Sequence, residues 1–192
     1  MMLKNLVIKN RSCRGYNKER KVTEDELKDM VDLARQSASG VNLQPLKYYL
    51  VYEDEQVATV KSLTKLGAHL KELGLPFPGE EPAAYIVICL DHELCKDNSK
   101  YLIDVGIAAQ TITLRATEMG LAGCMIGNYK ESELNAALGL GDRYFIQLVI
   151  AIGESCEDIR MKEIDEGDPF AYYREDGVHY VPKRKLEDVI IN

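Results

Sequence analysis

The chain opens its regular patterning at Thr23. Thr23, Glu24, Asp25 and Glu26 form a capping box, in which the threonine hydroxyl accepts from a first-turn amide and the glutamate reaches back. Leu27, Met30, Val31, Ala34 and Ala38 then recur three and four residues apart, which predicts an amphipathic helix ending near Ser39-Gly40. Pro45 closes any helical continuation. Tyr48 to Tyr52 is rich in β-formers and reads as a strand. Residues 54–72 read as a helix, with Val57, Val60, Leu63, Leu66 and Leu70 on one side, followed by a loop from Gly74 to Pro82. Ala84–Leu90 (AYIVICL) and Tyr144–Ile152 (YFIQLVIAI) are continuous apolar runs, the pattern of strands covered on both faces. Between them, Asp97 to Met119 reads as a long helix that is apolar on nearly every side, stopped by Gly120. Leu121–Ile126 reads as a strand and Glu131–Leu138 as a short helix. Beyond Gly153 the chain is polar and reads as irregular up to the apolar segment Val189-Ile190-Ile191.

Strands and helices are mixed, so the class is α/β or α+β. The 192 residues suit a single domain, 1–192, large enough to bury its own core. The five cysteines are odd in number and contain no CxxC pair, which argues against a zinc site or a disulfide framework and suits a reducing compartment. No apolar run reaches the roughly 20 residues of a membrane span, and MMLKNLVIKN is broken by lysine, unlike a secretory signal. The expected setting is cytoplasmic, without a membrane partner. A net charge of −7 argues against nucleic acid as a partner. The charge is unevenly placed, however. Basic residues dominate up to Lys21 and return at Lys183-Arg184-Lys185, on an otherwise acidic chain. Such ends are either solvated surface or the two halves of an anion site.

Most catalytic signatures are missing. There is no GxGxxG after a strand, no P-loop and no GxSxG elbow, and His69, His92 and His179 lack metal-ligand spacing. Three segments remain. In Asn10-Arg11-Ser12-Cys13-Arg14-Gly15-Tyr16, two guanidinium groups flank a serine hydroxyl, a donor set suited to phosphate. On these residues alone a basic surface turn is the simpler reading. In Ser37 to Pro45 (SASGVNLQP), small residues permit close backbone approach to a flat ligand, and Asn42 and Gln44 offer donors and acceptors. A plain helix end and loop would look the same. In Gly120–Tyr129 (GLAGCMIGNY), a strand runs into a glycine-permissive turn whose amides can face negative charge. An ordinary strand and turn is the alternative.

Taken together and in this order, the segments resemble the nitroreductase-like FMN oxidoreductases. NRSCRGY is similar to that family's RRSxRxF and SGVNLQPL to its SxxNxQPW. Asp104–Gln110 (DVGIAAQ) through Gly120–Gly127 is similar to its long helix and following strand, and Val181–Ile190 (VPKRKLEDVI) to its C-terminal segment. Asn10 stands in place of the first arginine and Leu46 in place of the usual aromatic. The resemblance implies an α+β fold with a central, mostly antiparallel sheet wrapped by helices. It also implies a domain-exchanged homodimer whose C-terminal arm, residues 154–192, reaches across. FMN is the implied cofactor, reduced by NADH or NADPH and reoxidised by a small organic acceptor such as a nitroaromatic or quinone. Arg11, Ser12, Arg14, Lys183 and Arg184 are the implied phosphate contacts, with Lys183 and Arg184 brought by the arm to the partner's phosphate. Ser39, Asn42 and Gln44 would lie against the ring or ribityl chain, and the amides of Ile126 and Gly127 against N5 and O4. Because the cofactor carries the chemistry, the lack of a catalytic acid, base or nucleophile is expected. The alternatives are a flavin carrier or sensor with little turnover, and a specialised flavoenzyme of this fold: an enone reductase, a dehalogenase or a flavin-destroying enzyme.

Overall fold

The computed structural model describes residues 2–192. Its centre is a four-stranded sheet made of β1 (Leu46–Val51), β2 (Ala84–Asp91), β3 (Ala122–Ile126) and β4 (Tyr144–Gly153). The order is β1-β2-β4-β3, with every neighbour antiparallel. The two continuous apolar runs are the two central strands, and β2 is buried along its whole length. Successive side chains of a strand point to opposite faces, so β2 feeds two cores. Ala84, Ile86 and Ile88 pack with α2 (Glu24–Arg35) and α4 (Leu102–Glu118), whereas Tyr85, Val87 and Cys89 pack with residues of α3 (Asp54–Leu63) and α5 (Glu131–Leu138). Helices on both faces of an antiparallel sheet make the fold α+β.

Local chemistry sets the element ends. Thr23 caps α2 with the reciprocal Glu26 bond predicted for it, a device typically contributing about 1 kcal/mol. The helix expected over 54–72 stops at Leu63. Thr64 and Tyr129 form a β-bridge, Lys65 N–H donates to the Asn128 carbonyl, and Gly67 is left-handed at φ 72°. The long helix begins at Leu102 rather than Asp97, because Asp97 accepts from Ser99 N–H and Oγ and forms a local turn that competes with helix. α1 (Leu3–Lys9), which the sequence pattern does not announce, packs on α4.

The largest correction concerns residues 154–182, expected to be irregular. They contain β5 (Asp158–Ile164), β6 (Tyr173–Glu175) and most of β7 (Val178–Arg184), joined in a second sheet of order β5-β7-β6. Asp176 (φ 50°) and Gly177 (φ 79°) make the two-residue turn between β6 and β7. Positive φ at both positions matches the right-handed twist of the flanking strands. All but two residues of this small sheet, Ile164 and His179, are exposed or half-buried, so its strands lack the apolar runs that reveal β2 and β4.

Candidate functional site

The basic turn at residues 10–14 lies along the edge strand β3, where Cys13 N–H donates to the Gly123 carbonyl at 3.2 Å. β3 in turn approaches α4 so closely that a Cβ on Gly123 would stand 2.8 Å from Thr113 Cγ2. Asn10 Nδ2 donates to Thr113 Oγ1 at 2.9 Å, tying the turn to α4. From the other side, the Arg14 amide donates to Glu157, and Cys156 N–H donates to the Gly15 carbonyl. Cys13 is fully buried, and burial raises its thiol to about 11, so the motif's cysteine is no thiolate at neutral pH.

This anchoring creates a cleft lined by Arg11, Ser12, Arg14 and Lys183, with Gln110 and Thr113 of α4 among its walls. Four of the five expected phosphate residues therefore meet in one place, with Lys183 in the cleft of its own chain rather than, as expected, at its partner's. Arg184 does not. His179, Val181 and Lys183 all line the cleft, as residues two apart on a strand should, whereas Arg184 falls on the alternate face of β7. His179 is the member that the sequence reading missed. The Asp-Gly turn was the available signal, since it fixes β6 against β7 and puts His179 on the face of Lys183.

The polar chemistry of the cleft is unbalanced. Arg11 Nη2 donates to the Val7 carbonyl at 2.6 Å, closing the end of α1, and its Nε is buried without a partner. Arg14 is 8% exposed; its Nη1 lies 3.2 Å from the Ser12 carbonyl and 3.1 Å from His179 Nε2, and its guanidinium stacks 4.2 Å from the Tyr172 ring centre. Arg14 Nε, Arg174 Nε and His179 Nδ1 are likewise buried and unpartnered. Among the described residues, no carboxylate lies within ion-pair distance of Arg11, Arg14 or Lys183. Glu157 instead pairs with Arg174. Burial, and then the neighbouring Arg14 and Arg174, lower the His179 pKa to about 4, so the ring is neutral at physiological pH.

The second segment lies elsewhere on α4. Ser39 Oγ donates to Asp104 at 2.6 Å and accepts from Gln44 N–H at 3.0 Å; Gly40 N–H donates to both Asp104 oxygens at 3.0 and 3.2 Å. This clamp holds a strained loop, in which Val41, Asn42 and Gln44 have φ of 47°, 55° and 54°. Strain at non-glycine positions is characteristic of functional loops. Ser39 and Gln44 line one depression with Asp104, while Asn42 lies outside it, exposed. Asp104 and Thr113 are nine residues apart, about 14 Å along the helix. Within one chain the loop and the basic cleft are therefore separate surfaces. Beside the loop, at its N-terminal end, α4 presents Leu102 and Ile103 to solvent, and one turn on Ile107, with Ile103 78% exposed. Ile126 ends β3 and Gly127 follows it; Ile126 is buried, and a Cβ on Gly127 would meet nothing within 4 Å. Among the described residues there is no cluster suited to a metal, and no helix is long and apolar enough to cross a membrane.

An antiparallel sheet between helix layers, with a basic cleft at its edge strand, defines an α+β protein. Residues 7–154 match the profile of the nitroreductase family, and the chain belongs to that family. Solved structures agree on the fold. A nitroreductase family protein from Streptococcus pneumoniae TIGR4 superposes with a TM-score of 0.72 at 17% identity, covering 100% of both chains. An FMN-dependent nitroreductase from Clostridium difficile R20291 gives 0.66 at 24% identity, covering 81% of this chain and 89% of its own. A protein from Exiguobacterium sibiricum 255-15, solved in complex with FMN, gives 0.67 at 20% identity, covering 82% and 90%. Among curated proteins, none matches the sequence significantly.

Proposed function

We propose that this chain is an FMN-dependent oxidoreductase, working as a homodimer and passing electrons from NADH or NADPH to a small organic acceptor such as a nitroaromatic or quinone. The observation that carries the reading is the cleft itself. Arg11, Arg14 and Lys183 converge without an acidic partner in a chain whose net charge is −7. A concentration of unpaired cations and buried, unpartnered donors is stable only if something neutralises it, and the dianionic phosphate of FMN suits that donor set. The family membership points to the same ligand.

In this reading Arg14 and Lys183 hold the phosphate and the Ser12 hydroxyl adds a donor. Arg11 contributes charge while its Nη2 stays on α1, and Asn10, bonded to Thr113, supplies no charge. When bound, FMN supplies the hydride and electron chemistry. The protein's part is to orient the ring, with Ser39, Asn42 and Gln44 toward its polar edge or ribityl chain and the Ile126 and Gly127 amides toward N5 and O4. Because loop and cleft are separated along α4, one chain does not assemble both ends of the site. A two-fold pairing through Leu102, Ile103 and Ile107 would cover that apolar stripe and bring one copy's loop toward the partner's cleft. The closing segment, with Leu186, Val189, Ile190 and Ile191 all exposed, is the part of the 154–192 arm we assign to the partner's surface. The test is FMN affinity by fluorescence quenching. Arg14→Ala should lose about tenfold or more, on the strength of a charge-assisted bond, and Lys61→Ala, whose lysine pairs with Glu81, should not. Equal affinity for wild type and Arg14→Ala refutes the assignment.

A further inference from the structure

His179 is 1% exposed, sits in a sheet whose other residues apart from Ile164 are exposed or half-buried, and touches the guanidinium on which the proposed site depends. A guanidinium carries only donors. At 3.1 Å from Arg14 Nη1, His179 Nε2 must therefore accept, and the ring proton resides on Nδ1. That Nδ1 is buried with no partner, a costly arrangement for a donor. Three contacts fix the geometry: the Nη1–Nε2 bond, Tyr172 stacked on Arg14 at 4.2 Å, and Tyr172 tilted against the His179 ring with centres 5.4 Å apart. The charges that act on the ring are the guanidinium groups of Arg14 and Arg174, and both disfavour its protonation.

The choice of side chain is informative. A carboxylate in this place would hold Arg14 as firmly, but it would cancel the charge the cleft offers. A protonated imidazole could not accept at all. A neutral imidazole orients the guanidinium and leaves its charge intact. Glu157 shows the same separation: it takes the Arg14 backbone amide and the Arg174 side chain, leaving the Arg14 guanidinium unneutralised.

We infer that His179 is a positioning residue for the anion site, holding Arg14 through a neutral Nε2 acceptor so that its full charge faces the phosphate of the bound cofactor. The inference rests on the FMN reading given above. It is tested by FMN titration of wild type, His179→Leu and His179→Gln, each also in an Arg14→Met background, together with imidazole nitrogen NMR of the wild-type protein without FMN. Leu removes the acceptor, and Gln places a carbonyl oxygen near the Nε2 position. The expected results are an affinity loss of about tenfold for Leu, recovery of most of it by Gln, and less than a twofold effect of Leu once Arg14 is Met. The NMR should show Nδ1 protonated and Nε2 bare at neutral pH. Should the Leu chain not fold, the Gln variant and the wild-type tautomer decide. Wild-type affinity in folded His179→Leu, an undiminished Leu effect in the Arg14→Met background, or a proton on Nε2 overturns the inference while leaving the FMN reading standing. A wild-type protein that takes up no FMN overturns the FMN reading first, and this inference with it.

Discussion

Replacing Asp104 by alanine should loosen the loop that carries Ser39, Asn42 and Gln44. The carboxylate receives two donors, the Ser39 hydroxyl and the Gly40 amide. Hydrogen bonds to a charged group contribute about 1.5–3 kcal/mol each. Both donors lie near the surface, where water partly replaces a lost partner, so the lower bound applies and the expected loss is about 3 kcal/mol. Asp104→Asn retains an acceptor for Gly40 and a group for Ser39, with neutral bonds about half as strong, so its expected cost is about 1.5 kcal/mol. For a chain of this length, a loss of 1 kcal/mol shifts Tm by about 2–4 °C. The alanine variant should therefore melt about 6–12 °C below wild type, and the asparagine variant midway. The loop has a second liability. Its left-handed residues Val41, Asn42 and Gln44 cost of order 1–3 kcal/mol each, and once unclamped they relax, so FMN affinity should fall further in the alanine variant. Urea titration and thermal melting at one fixed protein concentration, with FMN binding on the same samples, provide the assay. An alanine variant within about 0.5 kcal/mol of wild type, the range of an inconsequential surface change, would refute the clamp. So would equal losses for Ala and Asn.

Four further outcomes follow from the same geometry. Gly123→Ala should cost about 1–3 kcal/mol by overpacking against Thr113 Cγ2, and adding Thr113→Ser, which deletes that methyl and keeps the hydroxyl, should restore most of it in urea titration. Gly127→Val meets open space within the chain, so the apo fold should change by less than about 0.5 kcal/mol, whereas FMN uptake should collapse; normal uptake would remove Gly127 from the site. Ile103→Lys should leave the subunit folded by circular dichroism yet shift sedimentation toward the monomer. His179 is neutral when folded and titrates near 6.5 when unfolded. The unfolded chain thus binds the proton first, and stability present above about pH 6.5 is lost as pH falls toward 4, at up to about 1.4 kcal/mol per pH unit. Urea titrations across that window should show this slope in wild type and lose it in His179→Gln.

What could be read in advance tracks burial. β2 and β4 are the strands with continuous apolar runs, and they are central. α2 declares itself through a capping box and a stripe that reaches Leu27, Met30 and Ala34 in the core. The basic turn and Lys183 were legible as charge out of keeping with the rest of the chain. The strands of the second sheet were not, because an exposed sheet needs no apolar alternation; its only local mark is Asp176-Gly177. The role of His179 is hidden for a different reason: its partner Arg14 lies 165 positions away and becomes its neighbour only once β7 folds back. The clamp on the loop was equally hidden. Asp104 read as part of a helix, and only the packing of α4 beside residues 39–40 turns it into an acceptor.

The central claim is that two copies of this chain together hold FMN in clefts built around Arg14. Sedimentation velocity of the protein with added FMN, followed at the flavin absorption band, addresses cofactor and assembly in one run. The account predicts a single boundary at the mass of a dimer of 21.6 kDa chains, carrying one flavin per chain and losing that flavin in Arg14→Ala. Flavin that fails to sediment with the protein, or that travels stoichiometrically with a folded monomer, would contradict it.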